Sequence, residues 1–350
     1  MKLVILSIIV ITLLFFGCID LGGGQKSNDT ATNTGIQGNN TKPKNTSIIL
    51  DDQQNTSIAT NTTTQQQNNT PPKIGMDYST DLNASLAVYF INVGKTGVND
   101  EASVQGEAIY IKKGDVDILI DTGSGVIGGT VADYVKNRNA DDLELLISTS
   151  VDERRYGGIQ TVLDKIKIEE FWWSGYDLDN QSYKKVVKNV QDKVSVVNTV
   201  GKGFTKTING IKFEVLNPKT PPFVDQNNDA IVLRIEDRNF TMLFTSNIQT
   251  GARDKLLNEQ LDKLTNATVM TAPYYGLGSG TSNIQLFLTK TKPNEIVICG
   301  SSDDSEAQGG SRSAFKNLLV LYNIPYTETY VNGTVRILYD GNSYVINAVP

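Results

Sequence analysis

From about residue 86 onward the chain consists of short apolar runs broken by glycine, proline and Asn/Asp turns. One set is brief, rich in β-branched and aromatic residues, and reads as strands. It comprises Leu86–Val93, Gly106–Lys112, Val116–Asp121, Leu143–Ile147, Ile168–Trp172, Val194–Asn198, Gly210–Leu216, Ala230–Glu236, Phe240–Phe244, Asn266–Ala272, Glu295–Cys299, Tyr326–Tyr330, Val335–Tyr339 and Tyr344–Asn347. Between these, Gly129–Asn139, Gly158–Ile166, Ser182–Val190, Gln249–Gln260, Thr281–Thr289 and Ser313–Tyr322 read as helices. Strand-rich hairpins come first, strand–helix alternation follows, and that order occurs twice. The pattern alone supports a mixed α/β domain of two layers or more.

The stretch Leu143–Gly158 stands out within this pattern. Its strand is too apolar to be an edge, so it reads as central in a sheet. The loop that follows is crowded with charge and closes on Gly157-Gly158. A loop leaving a central strand is where such proteins place their chemistry. Further on, alternation predicts that one of Trp172 and Trp173 is buried and the other exposed. Cys299, inside an apolar run, reads as a core residue.

The first quarter of the chain has a different composition. Met1-Lys2 precede an apolar run, Leu3–Phe16, and then Gly17-Cys18. This reads as an export signal over residues 1–18, with Cys18 the lipidated first mature residue; an uncleaved anchor helix is the alternative. Either places the protein on the outer face of the cell membrane. Residues 19–83 are rich in Asn, Thr, Gln and Ser, with too little apolar surface to offset ordering entropy, and so read as a disordered stalk. Acceptor sequons for glycosylation fall at Asn28, Asn39, Asn45, Asn55, Asn61 and Asn68. Asn83, Asn180, Asn239, Asn266 and Asn332 are further ones in or near the domain, which spans residues 84–350. The net charge of −6 argues against nucleic acid as a partner. The two cysteines, Cys18 and Cys299, suggest no disulfide.

Ser148-Thr149-Ser150-Val151-Asp152-Glu153-Arg154-Arg155-Tyr156-Gly157-Gly158 resembles the metallo-β-lactamase superfamily, and within it the soluble hydrolase domain of competence (DNA-uptake) proteins. That family carries S-T-H-x-D-x-D-H-x-G-G after a strand. Here its first histidine position holds Ser150, its metal-binding aspartate position Arg154 and its last histidine position Arg155, while Asp152 matches. The resemblance extends through Phe90–Gly94, Ile120–Gly123, Asn228–Leu233 and Asn332–Gly341. It places Asn247 at the bridging-aspartate position, Tyr274 and Tyr275 at a histidine pair, and Gly310 at a late histidine. It implies a four-layer αββα sandwich. The family's zinc site depends mainly on imidazoles, and this chain contains 0 histidines. The expectation is therefore a domain without the zinc site, without a cofactor and inactive as a zinc hydrolase.

Three readings of the altered site follow. Arg154 and Arg155 neutralise neighbouring acids such as Asp152, Asp121 or Glu153, since buried charges need partners. Alternatively they capture an anionic small molecule or glycan, with Ser150, Asp152, Asn247, Tyr274 and Tyr275 around them. A third reading is a hard-metal site of Asp121, Asp152, Glu153 and Asp229, which two arginines oppose. The corresponding functions are a membrane-tethered binding or scaffold module, or a surface nuclease or phosphodiesterase using oxygen ligands. Gly276, Gly278 and Gly280 do not form a phosphate loop, and Ser301–Ser305 reads as a solvated acidic loop.

Overall fold

The computed structural model describes residues 84–94, 106–177, 179–277, 281–300 and 312–349. The signal or anchor segment, Cys18, the stalk with its sequons, Gly278, Gly280, Ser301–Ser305 and Gly310 lie outside these residues.

Two mixed sheets form the centre. The first has eight strands in the order Tyr344–Val349, Thr334–Tyr339, Leu86–Phe90, Ile109–Lys113, Val116–Ile120, Leu145–Ile147, Glu170–Trp173 and Val196–Thr199. Neighbours are antiparallel as far as Val116–Ile120 and parallel beyond it. The second has seven strands: Tyr326–Glu328, Glu295–Ile298, Val269–Thr271, Phe240–Phe244, Val232–Asp237, Ile211–Asn217 and Thr205–Ile208. It is likewise antiparallel in its hairpins and parallel in its βα half.

Strand alternation builds the layers. Leu86, Val88 and Phe90 point between the sheets, where they join Ile118, Ile120 and Ile147 of the same sheet and Phe213, Leu233, Met242 and Phe244 of the other. Phe90 and Phe244 meet across this layer at 6.2 Å between ring centroids, and Trp172 and Phe213 at 5.8 Å. The intervening residues Ala87, Tyr89, Leu119 and Leu146 face outward, onto helices Gly128–Lys136, Ile159–Lys165 and Gln181–Lys193. On the other side Leu243, Met270 and Ile296 pack beneath helices Thr250–Leu264, Thr281–Thr291 and Arg312–Leu321. The architecture is thus the αββα sandwich. No helix of the described residues is long and apolar enough to cross a membrane.

Several elements differ from the sequence reading. Leu143–Ile147 is interrupted at Glu144, whose amide donates to Asp117 O (3.0 Å) and whose carboxylate accepts from Asp117 N (2.7 Å). Leu143 pairs instead with Ile168 in a small two-stranded sheet. Thr205–Ile208 is an additional strand, polar because it is an edge with few buried positions. Tyr326–Tyr330 ends early, since Thr329–Asn332 turns as a short helix. Trp172 is fully buried, while Trp173 is half-buried against Tyr183 of the covering helix and does not form an exposed face. Cys299 is buried in the inter-sheet core.

Candidate functional site

The parallel strands Val116–Ile120 and Leu145–Ile147 end side by side, so the residues after them share one end of the sandwich. Asp121 takes a left-handed backbone (φ 57°) and turns its carboxylate onto the neighbouring loop. There it accepts from Thr149 N at 2.8 Å and from Thr149 Oγ1 at 2.6 Å. Thr149 Oγ1 also meets Ser246 Oγ at 2.7 Å, which ties in the loop leaving the second sheet.

Asp152 caps a four-residue helix, Glu153–Tyr156, by accepting from Arg154 N at 3.0 Å. This turn sends Arg155 inward and leaves Arg154 at the rim. Arg155 is 0% exposed. Its Nη1 donates to Glu107 Oε1 (2.5 Å) and Asp121 Oδ2 (2.9 Å), and its Nε donates to Asn247 Oδ1 (2.5 Å). Its guanidinium lies 4.5 Å from the centroid of the Tyr275 ring, a cation–π contact. Arg154 binds Asp152 through Nε (3.0 Å to Oδ1) and Nη2 (2.7 Å to Oδ2) and lies 4.7 Å from the same ring. Asn247 joins the two pairs, accepting from Arg155 and donating Nδ2–H to Asp152 Oδ2 at 2.7 Å.

Glycines permit this closeness. A Cβ on Gly106 would stand 2.0 Å from Arg154 O, which holds Glu107 beside the arginine loop. A Cβ on Gly158 would stand 2.5 Å from Thr122 O, so the loop could not close against the first sheet.

The structure therefore brings together Asp121, Asp152, Arg154, Arg155, Asn247 and Tyr275. Ser150 sits beside them but turns its hydroxyl to its own loop, accepting from Asp152 N at 3.3 Å. Tyr274 is half-buried, with its ring 5.9 Å from Arg154 Cζ. Both tyrosines take left-handed backbone, φ 48° and 57°, a conformation that costs about 1–3 kcal/mol per residue and persists only where packing imposes it. Glu107 joins these residues without having stood out in the sequence. A lone acid at the start of an apolar strand, after a glycine, was the signal available.

The four-carboxylate metal set is not assembled. Glu153 accepts from Gly125 N (2.8 Å), and Asp229 accepts from Phe223 N (2.9 Å). Among the described residues no three His, Cys, Asp or Glu side chains converge to hold a metal ion. Glu107, Asp121 and Asp152 are all engaged by guanidinium groups, whose charge opposes a dication. The donor set does not fit a metal.

Two arginines face three carboxylates, of which Asp121 is the most deeply buried. Burial pushes its carboxyl up to about 6; Arg155 opposes this and Glu107 adds to it. Asp152 goes the other way. Burial raises it, but hydrogen bonds from Arg154 and Asn247 outweigh burial and hold it below the usual carboxylate range. Since Asp121 binds its proton more tightly in the folded state, its contribution to stability is full below pH 3.8 and is lost as pH rises through about 6. The swing is on the order of 3 kcal/mol. Asp152 contributes above its ordinary value and loses that contribution as pH falls. Chemical denaturation between pH 4 and 7 should show the Asp121 slope, and Asp121→Asn should flatten it. An unchanged slope in that variant would assign it elsewhere.

No protein-family model matches the chain. It is similar to ComE operon protein 3 of Bacillus subtilis (strain 168), at 19% identity over 217 residues, covering 62% of this chain and 27% of that protein. It is also similar to Recombination protein 2 of Haemophilus influenzae, at 25% identity over 238 residues, covering 67% of this chain and 27% of that protein. The chain thus spans about a quarter of the length of both relatives (27%). Among solved structures, the metallo-beta-lactamase fold protein YhfI of Bacillus subtilis superposes with a TM-score of 0.47 at 13% identity, covering 70% of this chain and 96% of that one. A metal-dependent hydrolase of the beta-lactamase superfamily gives 0.48 at 10% identity, covering 72% and 98%.

Proposed function

We propose that this domain is a metallo-β-lactamase-like module in which an arginine has taken the place of the metal, and that it works by binding or scaffolding rather than by hydrolysis. The observation that carries this reading is Arg155, fully buried and ion-paired to both Glu107 and Asp121 while donating to Asn247. A fixed guanidinium here supplies the positive charge these carboxylates need. It cannot exchange a bound water, lower its pKa or present a nucleophile, which are the tasks of a catalytic metal. Full burial also favours internal neutralisation over capture of an outside anion, with Arg154 alone left near the surface.

The module is tethered to the outer face of the membrane through the N-terminal lipid or anchor, on a glycosylated stalk. Its relation to competence proteins rests on the shared strand-and-loop motifs and on the two distant relatives.

Elemental mass spectrometry of the purified protein, after exposure to zinc, manganese and magnesium followed by desalting, tests the metal claim. The expected result is metal well below one ion per chain. One retained ion per chain, together with phosphodiester hydrolysis, would sink this reading.

A further inference from the structure

We propose a second binding site, remote in sequence from the arginine loop, that takes a small phosphorylated ligand in the cleft between Gly201–Phe204, Pro218–Thr220 and the helix Thr250–Leu264. The cleft lies where the chain crosses from the edge strand of the first sheet, Val196–Thr199, to the edge strand of the second, Thr205–Ile208. Its volume is about 680 Å³, and it adjoins a chamber of about 220 Å³ that shares Gly201, Pro218 and Thr220. Together these suit a ligand of nucleotide size.

The charge of the cleft sets the ligand class. Lys202, Lys219 and Lys255 line it with one acid, Glu259, an excess of two positive charges in a chain whose net charge is −6. Glu259 receives Lys202 Nζ at 2.8 Å and is also paired with Lys255 one helical turn away, so it holds both ammonium groups on one wall. The Lys202 and Lys255 hydrogen bonds keep the Glu259 carboxyl down at about 2, so the anchor stays ionised. Lys219 comes from the facing loop, its Nζ 5.1 Å from the Phe223 ring centroid. Lysines on both walls fit a compact multiply charged anion, which lysine recognises as a point charge.

The smaller chamber fits the rest of such a ligand. Ser174, Thr199 and Thr220 are among the residues that line it, as is Tyr176, whose hydroxyl donates to Lys219 O at 3.2 Å. That hydrogen bond couples the two chambers through the lysine-bearing loop. Phe204, on the wall of the larger cleft, packs edge-on against buried Trp172 with centroids 4.9 Å apart. A ligand pressing on Phe204 therefore has a built-in fluorescent reporter.

The test is titration of the purified full chain with pyrophosphate alone and with adenosine diphosphate alone, followed by calorimetry and by tryptophan fluorescence. Both probes are expected to bind, with an affinity that falls as salt rises. Lys202→Gln with Lys219→Gln should weaken binding at least about tenfold while the melting temperature stays unchanged. Lys188→Gln, on a helix away from the cleft, controls for a general charge effect and should leave binding intact. Absence of binding by the native protein, or equal binding by the double variant, overturns the proposal. So does a loss confined to Arg154→Ala, which would assign the anion to the arginine loop.

Discussion

Arg155→Met should destabilise the domain by about 3–5 kcal/mol at neutral pH, the range found when one partner of a buried ion pair is removed. That is a large part of the ~5–15 kcal/mol that holds a typical domain folded. Methionine fills much of the same volume, so the loss is one of charge and hydrogen bonding. Glu107 and Asp121, 2% and 0% exposed, would face each other without the guanidinium that now touches both. Asn247 would lose the donor to its carbonyl, and the face of Tyr275 its cation. The penalty should shrink as pH falls, because two uncompensated carboxylates take up a proton more readily than the paired ones. Urea denaturation at pH 5 and pH 8 measures it, and the two losses should differ clearly, with the larger at pH 8. Adding Glu107→Gln and Asp121→Asn to Arg155→Met should recover much of the loss, since apolar or neutral replacements of a whole buried ionic group are often well tolerated. A single variant that loses less than about 1 kcal/mol at both pH values would show that Arg155 is not the charge on which this centre depends.

How far the sequence revealed this centre depended on how local each signal was. The sandwich was legible because period-two alternation in Leu86–Phe90, Val116–Ile120 and Phe240–Phe244 sorts residues to two buried faces, and that repeats throughout the chain. The strand Thr205–Ile208 escaped because an edge strand in this position has little to bury. Asp152 and Arg154 were legible as partners because they are two residues apart in a capping turn. Glu107 was not, since it reaches Arg155 across 48 residues and no local pattern links an acid at the start of one strand to a loop two strands later. Ser150 and Tyr274 lie in loops beside the arginines, but loop position does not fix direction. Ser150 turns to the Asp152 amide, and Tyr274 stays at the rim. Glu153 and Asp229 look like metal ligands as residue types, yet each is engaged by a backbone amide within its own surroundings, a use that composition cannot distinguish.

Asn247→Asp should be nearly as damaging as loss of Arg155, although it changes one nitrogen to oxygen. The amide at this position accepts from Arg155 through Oδ1 and donates to Asp152 through Nδ2. Aspartate keeps the first contact and inverts the second, putting two carboxylate oxygens where a donor and acceptor now stand 2.7 Å apart. Arg154 already neutralises Asp152, and Arg155, which would touch the new carboxylate through Nε, is already paired with both Glu107 and Asp121, so the added charge is only partly compensated. The expected cost is about 3 kcal/mol at neutral pH, from a lost charge-assisted hydrogen bond and a like-charge contact away from water. One member of the new pair should hold a proton well above the usual carboxylate range, so the variant regains stability relative to the native protein as pH falls through that raised value. Exchanging the partners, Asp152→Asn with Asn247→Asp, returns a donor to the contact and sets the new carboxylate against Arg155 Nε, which already donates to position 247. The double variant should therefore be more stable than the sum of the single losses predicts, and a double-mutant cycle by urea denaturation reads that coupling directly. Additive losses would mean that Asn247 and Asp152 do not share a hydrogen bond, and the link between the two ion pairs would have to be abandoned.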